Sequence, residues 1–309
     1  MTAIIVEPTR TNAAIQRLDR SQIERCLTQC PRLPSLSSVN SSLNELLNAD
    51  QRYTAHVAEI IRRDPSLTAR LLRLVNSVYY GLSSPVNSIE EAVFYLGVRQ
   101  IRQLAMVTPI IEDFQKLAGK KPFPWREFWQ HCIGTALLAR EVVTTVQAPE
   151  DEGDYVAGLV HDVGVIVMAA AFPAHFDAIY SQPQSNGTSN LMALEEELLG
   201  MNHAELGGLY LEHHHLPKLL VDAATWHHSP KSSAQNPQIV AAVQIADLLI
   251  RSAGIGTDGD KSEVSEEDWT QAEGWEILFP GHTESERALA RASLKRSLER
   301  LPLLLEGIV

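Results

Sequence analysis

Asp162 and Asp247 each stand in the middle of an otherwise apolar helical stretch, Tyr155 to Met168 and Ile239 to Ile250. No other feature constrains the fold as tightly. An ionised carboxylate taken out of water without a partner costs several kcal/mol, so a fold that encloses these stretches must bring a cation to both. Histidines at His131, His161, His203, His227 and His228 are spread along the same part of the chain. Imidazoles and carboxylates together form the mixed donor set that zinc, manganese or iron takes. One or two divalent transition-metal ions are therefore expected.

Helical periodicity dominates the chain and alternating strand patterns are absent, which predicts an all-α fold. Asp64-Pro65 is a helix start, followed by a stripe of Leu67, Leu71, Leu72, Leu74 and Val75 that stops near Asn76 to Gly81. Ser88 and Glu91 make a capping box for a helix over 89–96, closed by Gly97, and another helix runs over about 98–114. The polar segment Gln115 to Pro124 divides an N-terminal lobe from a second one. Helices follow over about 125–146, 150–171, 191–212, 217–227 and 237–253. Gly254 to Asp268 reads as a flexible link, after which Thr283 caps an amphipathic helix reaching Leu305. That last helix is expected to pack on the N-terminal lobe or on a second subunit.

Composition narrows the function classes. With 309 residues, 45% of them hydrophobic and 21% charged, the chain is an ordinary globular one. Its net charge of -12 argues against a surface that collects nucleic acid or anionic membrane. Arg99 and Arg102 beside Gly97 offer only a weak helix-turn-helix cue. Three cysteines, Cys26, Cys30 and Cys132, give no disulfide framework and suit a reducing compartment. Met1 to Arg10 lacks a signal-peptide core, and the longest apolar run, Val163 to Phe172, is too short to span a bilayer. A soluble, cytoplasmic protein is expected.

Each site residue has a bland alternative. A lone core histidine usually serves as a hydrogen-bonded structural group, and a lone buried aspartate as a helix cap or the partner of an arginine. Jointly the pattern favours a metal. His161 and Asp162 are adjacent, and helix neighbours point about 100° apart, so they share an ion only if the helix passes beside it. Glu127 and His131, spaced i, i+4, lie on one face. His203 begins the turn His203 to Gly208, whose glycines let another helix approach closely. His213, His214 and His215 sit at a helix end and are assigned to the surface.

The order His131, His161-Asp162, His203, His227-His228, Asp247 resembles the HD superfamily of helical metal-dependent phosphohydrolases. Leu33-Pro34, Asp64-Pro65-Ser66-Leu67, Leu71 to Ser77, Tyr80-Gly81, Ile89 with Ala92, and Leu96-Gly97 narrow the likeness to the HDOD domain, the HD-related output domain of bacterial signalling proteins. The resemblance spans about 26–253. It implies an all-helical fold with a helical lobe (21–115) packed on an HD-like metal-site lobe (124–253). Residues 1–20 form an extension and 254–309 a linker with a C-terminal helix. Metal ligands are implied at His131, His161, Asp162, His203, His227, His228 and Asp247, with Glu127 a weaker candidate. The family implies a regulator acting through a signalling partner or bound ligand. The alternative is a phosphohydrolase acting on a nucleotide or cyclic dinucleotide, with His161, Asp162 and a metal-held hydroxide at the reacting centre. Two departures favour the regulator: Val165 stands where the cyclic dinucleotide phosphodiesterases carry a lysine, and their Gly-Tyr-Pro signature is missing around Leu216 to Val221.

Overall fold

A computed structural model describes residues 15–30, 72, 76, 85–92, 94, 123–147, 153–180, 191–256, 259 and 263–305. Every long regular element among them is a helix: α1 (Arg20–Gln29), α2 (Trp125–Thr145), α3 (Gly153–Val160), α4 (Val163–Ala171), α5 (Pro173–Tyr180), α6 (Leu191–Leu198), α7 (His203–His213), α8 (Lys218–Trp226), α9 (Pro237–Ser252), α10 (Glu266–Thr270), α11 (Glu273–Leu278) and α12 (Glu284–Leu305). Most of the N-terminal lobe, including Asp64-Pro65 and the arginines at Arg99 and Arg102, lies outside the described residues.

The organising element is α2, which packs against α9, α3 and α12. It buries Phe128, Trp129, Cys132, Ile133, Ala136, Leu138, Ala139, Val142 and Val143. So many buried positions on a single helix mean that it is enclosed by neighbours on more than one side. α7 lies between α4 and α8. Gly207 and Gly208 behave as their sequence suggests: a Cβ on Gly207 would come within 2.9 Å of the Gly164 amide nitrogen, and one on Gly208 within 1.8 Å of Thr225 Oγ1. The stretch is nevertheless helix, not turn, and Asn202 caps it by accepting from Glu205 N.

Two expected helices divide. The stretch 150–171 breaks after Val160, and α3 and α4 meet at an angle of 41°. The stretch 191–212 breaks at 199–202, where Gly200 takes a positive φ of 102°. The expected link over 254–268 ends sooner: Ser265 and Asp268 form a capping box that starts α10, and Trp269 and Trp275 are buried against each other with ring centroids 5.3 Å apart. The indoles tie α10 and α11 to the core, and α11 packs on α9. The final helix is capped by Thr283 with Glu286, and packs on α2 of the second lobe. At Ser88 the box is half as expected: its Oγ accepts from Glu91 N, while Glu91 accepts from Asn87 N.

No single helix among the described residues is long and apolar enough to cross a membrane. The bent pair α3 and α4 is apolar enough taken together, but nearly all of it is buried inside the bundle.

Candidate metal centre

The break between α3 and α4 resolves the problem of two adjacent ligands. α3 ends at Val160, so His161 turns back and its Nδ1–H donates to the Gly158 carbonyl at 2.8 Å, satisfying an orphan carbonyl of the last turn. Asp162 stands at the N-cap position of α4 and makes no capping bond. Its carboxylate faces inward instead: Oδ2 lies 3.2 Å from His161 Nε2 and 3.4 Å from His131 Nε2, while Oδ1 lies 3.5 Å from both His203 Nε2 and His227 Nε2.

α8 repeats the device of α3. Just past its last residue, His227 Nδ1–H donates to the Ala224 carbonyl at 2.9 Å and leaves Nε2 aimed at Asp162. From α9, Asp247 Oδ1 comes 3.3 Å from His131 Nε2. Two groups result: His131, His161 and Asp162, joined by Asp247, and His203, His227 and His228. Asp162 touches both. His131, His161, Asp162, His203, His227 and Asp247 are all buried, and His228 is partly so.

Hydrogen-bond bookkeeping argues for a cation here. With the Nδ1–H of His161, His203 and His227 donating to Gly158, Glu195 and Ala224, each neutral ring presents only a lone pair at Nε2. Those lone pairs point at carboxylate oxygens and at one another; His203 Nε2 and His228 Nε2 are 3.0 Å apart, and His131 Nε2 and His161 Nε2 are 3.3 Å apart. Asp162 Oδ2, His227 Nε2 and Asp247 Oδ1 are buried without a hydrogen bond of good geometry. Protonating His227 or His228 is not an easy escape. Burial pushes His228 well below the ordinary histidine value, helped by His227 and His203, and burial lowers His227 despite the Asp162 carboxylate beside it. Burial pushes the Asp162 carboxyl up, but His161, His131 and His227 outweigh it and hold it well below the usual range. Asp247 is likewise depressed against its burial by His131 and Arg251. Donors about 2.0–2.2 Å from one ion lie roughly 2.9–3.6 Å from each other, the short end at octahedral and the long end at tetrahedral angles, and the spacings found, 3.0 to 3.5 Å, fall in that range.

The bland alternatives account for part of one residue. Asp247 has Arg251 at 3.8 Å from Oδ2, one turn along α9, but its other oxygen still faces His131. Glu127 is exposed and belongs to neither group. His213 and His215 are exposed and His214 half-buried, away from both groups, as their place at a helix end suggests. His215 takes a left-handed φ of 57°, which terminates α7. Glu195 was not singled out from sequence. It is fully buried and accepts from His203 Nδ1 at 2.7 Å, from His203 N at 2.8 Å and from Tyr180 Oη at 2.8 Å. A signal was present: Leu191, Glu195 and Leu199 fall at helical i, i+4 spacing, and all three are buried.

An all-helical bundle that draws histidines and aspartates from α2, the α3–α4 junction, α7, α8 and α9 into one buried cluster has the architecture of an HD-like domain. A family model described as HDOD domain matches residues 33–230, well over half the chain, and the chain belongs to that family. Asp247 lies beyond the matched span, so its place in the site rests on geometry. An uncharacterized protein of Treponema pallidum (strain Nichols) is 24% identical over 228 residues, which is 71% of this chain but 43% of that protein. The chain thus spans less than half the length of that relative. Among solved structures, an HDOD domain protein of unknown function from Geobacter sulfurreducens matches with TM-score 0.76 and 23% identity, covering 94% of this chain and 99% of that one. A Shewanella amazonensis SB2B protein whose name carries the word phosphohydrolase matches with TM-score 0.67 and 22% identity over 93% and 98%. A protein named for signal transduction from Marinobacter aquaeolei VT8 gives TM-score 0.60 and 20% identity over 94% and 63%. At such identities these likenesses show the shared helical fold.

Proposed function

We propose that this HDOD protein is a phosphohydrolase whose two imidazole groups, with Asp162 between them, would hold two divalent transition-metal ions. One observation carries the reading: the two oxygens of Asp162 face two separate groups of imidazoles. His131, His161, Asp162 and Asp247 would hold the first ion, and Asp162, His203, His227 and His228 the second. Divalent ions held there supply Lewis-acid charge that activates water and offsets the charge of a phosphoryl group. The chain contributes orientation. Carbonyls of Gly158 and Ala224 and the carboxylate of Glu195 fix three ring tautomers, and apolar α4 walls off bulk water. Four protein donors per ion close a tetrahedral zinc site, whereas six-coordinate manganese or iron keeps room for water and substrate. Manganese or iron therefore fits catalysis better. The substrate class is a nucleotide or cyclic dinucleotide, in line with the HD-type ligand order.

A second reading, a regulator that binds a signalling partner around a structural metal centre, is favoured by the burial of the ligands and by Val165. That residue is fully buried at the position where related phosphodiesterases place a lysine. Elemental analysis of the purified protein, with a phosphodiesterase assay in added manganese or iron beside Asp162→Ala, separates the two. Hydrolysis means metal in the native chain and turnover that the variant lacks. Metal without turnover on any phosphodiester selects the regulator. Equal metal content in both proteins removes the site altogether.

A further inference from the structure

Glu195 has a role that the ligand set does not describe. It is a carboxylate with no exposure at all, in a short helix that donates no metal ligand. Such a group persists only where its lone pairs are satisfied. Oε2 takes two bonds from one residue, the first amide of α7 and the Nδ1–H of His203, and Oε1 takes the hydroxyl of Tyr180. Because both the backbone and the ring of His203 are tied to one oxygen, rotation of the ring about either side-chain torsion breaks a bond. Tyr180 in turn is held by Phe176, stacked at 4.6 Å, and by Phe123, edge-on at 5.3 Å. A relay runs from an aromatic cluster on α5 through Glu195 to His203, whose Nε2 meets Asp162 and His228. Gly158 and Ala224 offer His161 and His227 only neutral carbonyls; His203 alone of these three has a carboxylate behind it.

We infer that Glu195 is a positioning residue for the second ion, fixing His203 as the Nδ1–H tautomer and raising the basicity of Nε2 toward a metal. The inference rests on the two-ion reading of Asp162. Carboxylate support of this kind changes metal affinity by roughly 10–100-fold, and it acts on one ion because His203 faces one group only.

The test uses the full chain and manganese alone. Wild type, Glu195→Gln, Glu195→Ala and Tyr180→Phe are stripped with chelator, titrated with manganese, and followed by elemental analysis and by electron paramagnetic resonance. A bridged pair gives a spin-coupled spectrum and a single ion an isolated one. Wild type should take two coupled ions. Glu195→Ala should keep one, with an isolated-ion spectrum, and Glu195→Gln should weaken the second ion by roughly tenfold while the first is unmoved. Tyr180→Phe should have a smaller effect in the same direction. Two coupled ions at unchanged affinity in Glu195→Gln would overturn the inference. So would loss of both ions together in that variant, since a merely structural carboxylate would damage the fold under both groups. If Glu195→Ala fails to fold, Glu195→Gln decides. Wild type taking no manganese would defeat the two-ion reading itself, a result distinct from any of these.

Discussion

Gly164 lies on α4 two residues past Asp162, where α4 crosses α7. A Cβ there would sit 1.8 Å from the carbonyl oxygen of His203, 2.7 Å from its carbonyl carbon and 2.9 Å from the Gly207 amide nitrogen. All three are backbone atoms, so no rotamer change relieves the clash. Ordinary contact begins near 3.4 Å, and α4 and α7 must part by about 1.5 Å to admit the methyl group. Two effects compete in Gly164→Ala. Helix propensity favours alanine by up to about 1 kcal/mol. Overpacking against an unyielding neighbour costs about 1–3 kcal/mol and at times more, and backbone obstruction places this site at the upper end. A net loss of about 2 kcal/mol is expected from urea unfolding of metal-free protein. The same displacement would widen the 3.5 Å separation of Asp162 Oδ1 and His203 Nε2 toward about 5 Å, too far for one ion to reach both. Manganese titration should therefore show the second ion weakened along with the fold. A variant as stable as wild type, or more so, would mean that propensity wins and that the helices do not meet at this glycine.

Metal-free protein should lose stability as the solution is acidified. A histidine whose folded pKa is lowered takes its proton more readily when unfolded. The stabilisation from His227 and His228 is therefore full above about pH 6.5 and lost as pH falls toward their folded values. Asp162 and Asp247, also held low, act in the same direction below about pH 4. Melting in chelator should show Tm falling from about pH 8 to about pH 5 and a shallower fall in His228→Gln; a Tm that stays level would contradict the buried neutral rings. Arg140→Ala should cost about 3 kcal/mol by urea unfolding, because Arg140 Nη1 spans both oxygens of the fully buried Asp154 at 2.9 and 3.0 Å. A cost under about 1 kcal/mol would mean that the pair behaves like an exposed one.

The amino-acid order by itself determined the helical class, the cap at Thr283, the close-packing glycines of α7, and that Asp162 and Asp247 belong inside. These are properties of periodicity, local hydrogen bonding and the cost of burying charge, all of which act over a few residues. The tertiary structure decided what long-range packing alone can. It broke the helix at His161-Asp162 so that adjacent side chains converge, turned the two oxygens of Asp162 to different imidazoles, and left Glu127 in solvent. It also drew Trp269 and Trp275, which follow the stretch whose composition reads as a link, into the core, and set Glu195 behind His203. Convergence of groups up to about a hundred residues apart depends on where helices cross, and a crossing is fixed by the shapes of both partners at once. No local pattern carries that information.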